Sequence, residues 1–491
     1  MLNNKPELSR RDFGKLVAGA SATITMAPFG RADASPVQIE KASNEIRRKY
    51  TLPDGSFPIK VNDDIKQISE DKLAFYNKST IFVKNHKGER KHWFPAWIDK
   101  REYFMKNSMH GPDIPAPSVA DARTGRSFEA AGWVLNNILG KGKPNRDMYL
   151  WDHIPTESIW SHVYEKEPDE KDPVKLTNQI KYMARMSGAD LVGCAPLNKT
   201  WMYSNVYTTI EKGSHKTTFK PMTFGDVEKP TETDEKYIIP HSINNVIVSA
   251  FAMNREMFQT APASLAMASA SFGYSRMAAH DMWMSAFIRN QGYFALPCAN
   301  GLGQSVAFAT EAGLGQPSRM GLLITPEFGP LVRLTKIFTN MPLIHDKPID
   351  FGVTTFCETC KKCARDCPSK AITEGPRSYE ARDIHNQAGK LQWMNDHKKC
   401  FSYWHESAGD CGVCVATCPF SKGNIWIHDG VEWLIDNARF LDPVMLGMDE
   451  ALGYGAKRNV EEVLNGKINT YGLDTDHFQD TETTIKERVR K

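Results

Sequence analysis

Eight of the ten cysteines lie between Cys357 and Cys418, and their spacing is that of a redox centre. The first run reads Cys357-x2-Cys360-x2-Cys363-x3-Cys367-Pro368. The second reads Cys400, then Cys411-x2-Cys414-x3-Cys418-Pro419. A [4Fe–4S] cubane needs four thiolates. Three close cysteines wrap one face, and the fourth comes from elsewhere. In two-cluster bacterial ferredoxins the fourth cysteine of each run crosses to the other cluster. That rule assigns Cys357, Cys360, Cys363 and Cys418 to one cluster, and Cys367, Cys400, Cys411 and Cys414 to the other. The loop 401–410 lengthens the second run without changing its ligand count. Zinc in paired C-x2-C sites and a disulfide scaffold are the competing readings. The Cys-Pro that closes both runs favours clusters. Cys194 and Cys298 stand outside both runs and read as buried free thiols.

Such centres need a scaffold, and 491 residues give room for two or three domains. The composition is that of a globular protein, 41% hydrophobic and 24% charged. Lys and Arg (61) nearly balance Asp and Glu (58), leaving a net charge of +3. That balance carries no nucleic-acid footprint. Past the N-terminus no stretch has 18 consecutive apolar residues, so the mature chain is expected not to span a membrane. The N-terminus itself reads Ser9-Arg10-Arg11-Asp12-Phe13-Gly14-Lys15, then a mildly apolar run from Leu16 to Met26, then Ala32-Asp33-Ala34. The last is a small-residue cleavage site. The twin arginines make residues 1–34 a Tat export signal, with the mature protein outside the cytoplasmic membrane. The Tat machinery carries folded proteins, which suits a chain whose cofactors are inserted first. Cysteines that stay out of disulfides in an oxidising compartment are usually protected by metal.

Residues 35–166 form a polar, aromatic-rich unit without clean periodicity. From 167 the pattern sharpens. Thr177 is expected to cap a helix running to Met186, with Ile180, Met183, Ala184 and Met186 on one side and Gly188 at its end. Residues 190–195, 246–253 and 293–298 read as strands. The Pro- and charge-rich stretch 212–236 reads as an exposed loop. Residues 264–290 have a helical pattern rich in Ala, Ser and Gly, whose small side chains let something large approach the backbone. The alternation predicts an α+β layered core over 167–351. The two-cluster segment 352–422 and an extension, 423–491, follow it.

Within the core, Asn300-Gly301-Leu302-Gly303-Gln304-Ser305 opens a short helix, and GLGQ recurs at 313–316. Neither copy completes G-x-G-x-x-G, because Val306 and Ser318 occupy the last position, so a dinucleotide site is disfavoured. Gly301, Gly303, Gln304 and Ser305 are instead expected to bring bare backbone to a bulky anionic or amide-rich ligand.

Taken together, the chain resembles the respiratory reductive dehalogenases, and within that family looks like those acting on tetrachloroethene. The likeness rests on the export signal and on CETCKKCARDCPSKAITEGPR at 357–377. It extends through NIWIHDGVEWLID at 424–436 and ALGYGAKR at 451–458. It implies a nitroreductase-like fold binding a cobamide, with two [4Fe–4S] clusters feeding electrons to cobalt. It also implies a quinol-linked donor and a small integral-membrane anchor protein at the periplasmic face, and allows a homodimer.

The resemblance also places a reacting triad. The F-x-Y-S-R-M motif gives Tyr274, N-G-x-G-Q gives Asn300, and E-F-G-P-x-V-R gives Arg333. Replacing carbon–halogen by carbon–hydrogen needs a proton. A phenol, with an ordinary pKa near ~10, holds one at neutral pH. A nearby guanidinium favours the phenolate and eases release, and arginine keeps its charge in a dry pocket. Asn300 would orient the halide or substrate. Taken singly, each residue reads as a core Tyr, a turn Asn or a surface Arg.

Family positions for an aromatic substrate wall fall on Phe75, Trp93, Trp133 and Trp404. Two further positions depart from the family's tyrosines, with Leu139 and Asp410 in their place. Asp383-Ile384-His385-Asn386-Gln387-Ala388-Gly389 misses the D-x-H-x-x-G spacing by one residue. His385 therefore reads as structural, and base-off cobalt without a protein histidine is implied. Direct cobalt–halogen contact and electron transfer to the substrate stay open. An exported electron carrier would explain the cysteines but not the 300 residues before them. An epoxyqueuosine reductase would explain both, but its tRNA substrate is cytoplasmic.

Overall fold

A computed structural model describes residues 47–53, 56–73, 82–84, 87, 89–92, 131, 168, 170–210, 217–406, 411–421 and 458–464. The twin-arginine segment 1–34 lies outside them, as do Phe75, Trp93, Trp133, Leu139 and Asp410. Among the described residues no helix is long and apolar enough to cross a membrane.

The core is a four-stranded antiparallel sheet of order β1-β2-β4-β3. Its strands are β1 (Leu191–Pro196), β2 (Asn245–Ala252), β3 (Ala295–Pro297) and β4 (Val332–Thr339). Strand β2 (NVIVSAFA) is buried along its whole length because both faces are covered. On one face Ile247, Phe251 and Ile337 pack against α1 (Pro173–Met186) and α2 (Ser264–Asn290). On the other, Val246, Val248, Ala250, Leu334 and Phe338 pack against α3 (Ser305–Glu311). This period-two alternation sends neighbouring residues of β4 to opposite layers. Antiparallel pairing with helices on both faces makes the fold α+β.

Two local expectations change. Helix α1 starts at Pro173, where the missing N–H costs nothing. Asp172 caps it, accepting from the Val174 N–H at 2.9 Å. Thr177 sits one turn in, donating to the Pro173 carbonyl and accepting from the Ile344 N–H. The buried stripe is Leu176, Thr177, Ile180 and Ala184, while Met186 is exposed. The expected 212–236 loop contains strands Thr217–Gly225 and Thr231–Glu232 of a second sheet with Asn205–Ile210 and Tyr237–Pro240. Pro221 stands where the long strand changes partners. Residues 217–221 pair with Asn205–Ile210, and residues 222–225 run parallel to Tyr237–Pro240.

The cysteine segment folds as short helices, α4 (Val353–Cys360), α5 (Lys362–Arg365), α6 (His397–Glu406) and α7 (Val413–Ala416). Two glycines seat it on the core. Gly329 (φ +55) lies so close to Phe420 that a Cβ would stand 1.9 Å from its carbonyl oxygen. Gly412 (φ +82), just before α7, faces Met267 of α2 and Phe258. The turn entering β4 and the end of the cysteine segment are thus one packed unit. His385, on this segment, is buried and tied through Nδ1 to the Lys72 carbonyl.

His280 of α2 sits fully buried against the edge of Phe251, with its Nδ1 2.7 Å from the Ser187 hydroxyl. Its Nε2 has no partner among the described residues. Nδ1–H therefore donates to Ser187, whose own proton goes to the Met183 carbonyl at 2.9 Å. Burial pushes this imidazole down to about 3. The unfolded chain binds the proton near ~6.5 and the folded chain does not, so stability falls as pH drops below that value. Between pH 6.5 and 5, the wild type should lose about 1.6 kcal/mol relative to His280→Leu. Thermal denaturation of both across that window checks it.

Candidate active site

Strand β4 and helix α2 build the centre together. Arg333 pairs with Phe251 across the sheet and points toward the α2 layer. Thr335, two residues on, donates its hydroxyl to the buried Asp281 carboxylate at 2.8 Å. Tyr274 lies two turns before Asp281 on the same helix face. The Asp281–Thr335 clamp therefore fixes where Tyr274 meets Arg333. The guanidinium carbon lies 3.9 Å from the centre of the Tyr274 ring. A cation over an aromatic face is worth about 0.5–2 kcal/mol, more as water is excluded. Gly273 makes the approach possible, since a Cβ there would stand 2.6 Å from Arg333 Cγ.

Asn300 completes the set. Its Nδ2 donates to the Tyr274 hydroxyl oxygen at 2.9 Å, and its Oδ1 accepts from Arg333 Nη2 at 3.4 Å. Arginine has no acceptor, so the amide oxygen must face it and the amide nitrogen must face the phenol. The bond from Asn300 uses a lone pair of the phenol oxygen, not its proton. Arg333 Nε is buried without a partner among the described residues. All three side chains are half-buried.

The loop bearing Asn300 is held under strain. Ala299 (φ 41) and Leu302 (φ 61) are left-handed without being glycine, a conformation that persists only when its surroundings impose it. Lys336, alternate to Arg333 on β4 and fully buried, donates to the Ala299 carbonyl at 2.9 Å and to Ser305 Oγ at 3.0 Å. Nothing in the sequence distinguishes this buried Lys from a surface one.

The glycines of the glycine-rich stretch serve packing within the protein. A Cβ at Gly303 would stand 2.8 Å from the Trp201 carbonyl oxygen and 2.9 Å from the Phe308 ring. Gly313 and Gly315 face the Lys347 and Ile324 carbonyls in the same way. These positions are bare for packing within the protein. Gly301 is buried in the same turn, and Ser305 is taken by Lys336. Gln304 keeps a polar role: its amide donates to Gln387 Oε1 and accepts from Lys390 Nζ, each at 2.9 Å. Burial pushes the Lys390 ammonium down to about 8, although it retains accessible surface. That ammonium and the Gln304 and Gln387 amides suit an amide-bearing ligand.

The eight cysteines fall into two groups. Burial first, then the thiols of Cys357, Cys363 and Cys360, raises Cys418 well above the ordinary thiol range. Burial pushes Cys357 up to about 12, and Cys363 is also raised. In the second group burial, then Cys411 and Cys367, pushes Cys400 up to about 12. Burial, then Cys411 and Cys400, raises Cys414, which also neighbours Cys363. At Cys367 burial acts upward but is outweighed by hydrogen bonds from Ser369, Ile372 and Ala371, leaving it lowered. Thiols crowded together and buried do not ionise unaided. A cationic centre that ionises them outright fits this donor set. Trp404 lies on α6 within hydrogen-bonding reach of Cys400 and 5.7 Å from the Phe401 ring. Its indole is thus a neighbour of the second group.

Comparison with known proteins follows this division. A 4Fe-4S double cluster binding domain matches residues 356–421, which makes the cysteine segment a two-cluster domain. Over 496 residues the chain is 58% identical to a tetrachloroethene reductive dehalogenase of Sulfurospirillum multivorans, covering 99% of both. The chain belongs to the reductive dehalogenase family. It is an oxidoreductase. A second tetrachloroethene reductive dehalogenase, from Desulfitobacterium hafniense, is 33% identical over 67% of this chain and 63% of its own. A solved reductive dehalogenase reported for B12-dependent dehalogenation shares the fold, with a TM-score of 0.55. It is 20% identical, over 84% of this chain and 51% of its own.

For this reductive dehalogenase, Gly273→Ala should separate activity from stability. The new methyl displaces Arg333 from the Tyr274 face, so turnover should fall about tenfold or more. The helix gains about 1 kcal/mol of propensity, offsetting the contact. Turnover and thermal denaturation, measured side by side, test this. Unchanged turnover would mean that the stack has no part in the reaction.

Proposed function

We propose that this enzyme replaces halogen by hydrogen on a haloalkene, tetrachloroethene or trichloroethene being favoured. Two electrons and one proton convert R–X to R–H and halide. The observation that carries the reading is the Tyr274–Asn300–Arg333 arrangement. It joins a phenolic proton to one amide donor and a guanidinium over the ring, which together stabilise the anion left behind. The whole-chain similarity to an enzyme named for tetrachloroethene supports the substrate class.

A cobamide, when bound, supplies the low-potential cobalt that delivers electrons at the carbon–halogen bond. Lys390, Gln304 and Gln387 are the residues that would hold its amide-bearing periphery. Cys357, Cys360, Cys363 and Cys418 hold one cluster in this reading, and Cys367, Cys400, Cys411 and Cys414 the other. Tyr274 gives its hydroxyl proton to the carbon that loses halide. The Asn300 Nδ2–H then bonds the phenolate oxygen, and Arg333 balances its charge across the ring. Tyr274 recovers a proton from solvent before the next turnover.

The twin-arginine segment supports export through the Tat machinery to the periplasmic face of the cytoplasmic membrane. A small integral-membrane anchor protein and a quinol-linked donor belong to the same reading, as does a homodimer. A second substrate reading, a halophenol or haloalkane, is favoured by Leu139 and Asp410, which replace tyrosines expected on a flat apolar wall.

The test is halide release from tetrachloroethene by the anaerobically reconstituted enzyme with reduced methyl viologen. Tyr274→Phe should lower the rate about 100-fold or more while keeping iron and cobalt content. A variant as fast as the wild type would remove Tyr274 as proton donor. A loaded wild type that spares tetrachloroethene but dehalogenates a halophenol would replace the substrate reading.

A further inference from the structure

Arg319 lies between the core and the cysteine segment and is 2% exposed. Every hydrogen bond it makes ends on a carbonyl. Nε donates to Cys357 at 3.0 Å, and Nη1 to Thr373 at 2.7 Å and Gly375 at 3.0 Å. Nη2 makes a longer contact, 3.5 Å, to Glu358. Its guanidinium carbon lies 4.8 Å from the centre of the Trp393 ring. Glu358, the carboxylate that acts on it, is taken by Arg377 at 2.8 Å, and Arg377 itself covers the same indole at 5.6 Å. Among the described residues no carboxylate forms an ion pair with Arg319. Burial lowers its proton affinity, and the Cys357, Cys363 and Cys360 thiols, with Glu358, act in the opposite direction.

A buried cation without a counter-ion costs several kcal/mol in the absence of nearby negative charge. Carbonyl dipoles and an indole face meet part of that. The remaining neighbours are the three close cysteines of the first run. Four thiolates on a [4Fe–4S] core leave the cluster anionic, and one-electron reduction adds another negative charge. We propose that Arg319 is the fixed counter-charge of the cluster on Cys357, Cys360, Cys363 and Cys418, and that it raises this cluster's reduction potential. The proposal rests on the ligand grouping given above. Arg319 touches neither substrate nor reacting atoms. It acts by favouring the reduced state of one cluster and leaves the other, on Cys367, Cys400, Cys411 and Cys414, unaffected.

The experiment is an anaerobic redox titration followed by electron paramagnetic resonance, with iron counted, on wild type, Arg319→Gln and Arg319→Lys. Wild type should hold two clusters' worth of iron. If it does not, the ligand grouping fails before Arg319 is at issue. In Arg319→Gln the reduced-to-oxidised ratio of one cluster at fixed potential should fall about tenfold, 59 mV for one electron. The second midpoint should stay put. Arg319→Lys, which keeps the charge and loses most of the hydrogen bonds, should stay near the wild-type midpoint. Two unmoved midpoints, or two moved equally, would overturn the proposal. If Arg319→Gln loses one cluster's iron, Arg319→Lys decides. Retained iron with an unmoved midpoint supports the counter-charge, and equal loss reduces Arg319 to scaffolding.

Discussion

A guanidinium held 3.9 Å over a phenol ring is the interaction on which this site depends. Neither partner could be placed without the sheet. Strand β4 alternates a cation toward each layer: Arg333 faces α2, and Lys336 faces α3 and the Asn300 loop. The fully buried Lys336 satisfies its charge on the Ala299 carbonyl and the Ser305 hydroxyl, and so imposes the left-handed backbone beside Asn300. Asn300 then has one orientation open to it, because Arg333 accepts nothing. A single strand thus sets the height of the cation, the tilt of the amide and the direction of the phenol.

The electron-carrying half is organised by the same economy. Its thiols are buried among one another, a state that favours a cationic centre. It is joined to the core at places where side chains are missing or amides are paired. Gly329 admits the Phe420 carbonyl beside the turn that leads into Arg333. Gln304 and Gln387 tie the Asn300 loop to the residues before α6. Thr417 and Asp366, in equivalent places before the two Cys-Pro turns, hydrogen bond to each other and hold the two runs together. Movement of the cysteine segment would therefore be felt at the start of β4.

Much of this was legible in the sequence, for physical reasons. The cysteine spacing is a ligand geometry written along the chain, so both runs could be read without a structure. Helix α2 was read to its bounds because its pattern is long and uninterrupted. Thr177 suits a cap, but Asp172-Pro173 one turn earlier makes a better start. The 212–236 stretch looks like a loop in sequence because Pro221 hides a strand that changes partners. The glycine repeat suggested ligand approach, yet Gly303, Gly313 and Gly315 are filled by neighbouring carbonyls and rings. Sequence marks where a Cβ is forbidden but not what occupies its place. The triad was reachable only through family motifs, since a lone Tyr, Asn or Arg carries no periodic signal. Lys336, Lys390 and Arg319 were not reachable, because a buried cation looks like a surface one until its carbonyl partners are known.

In the proposed reaction Tyr274 and Arg333 act as one unit, the cation working through the phenol. A double-mutant cycle on kcat/KM for halide release measures that directly, with Tyr274→Phe, Arg333→Lys and the pair in enzymes of equal iron and cobalt content. Groups that act together lose their effect together. The double variant should be no slower than about threefold below the slower single variant. Losses that multiply would contradict it, because Arg333 would then be working independently of the phenol.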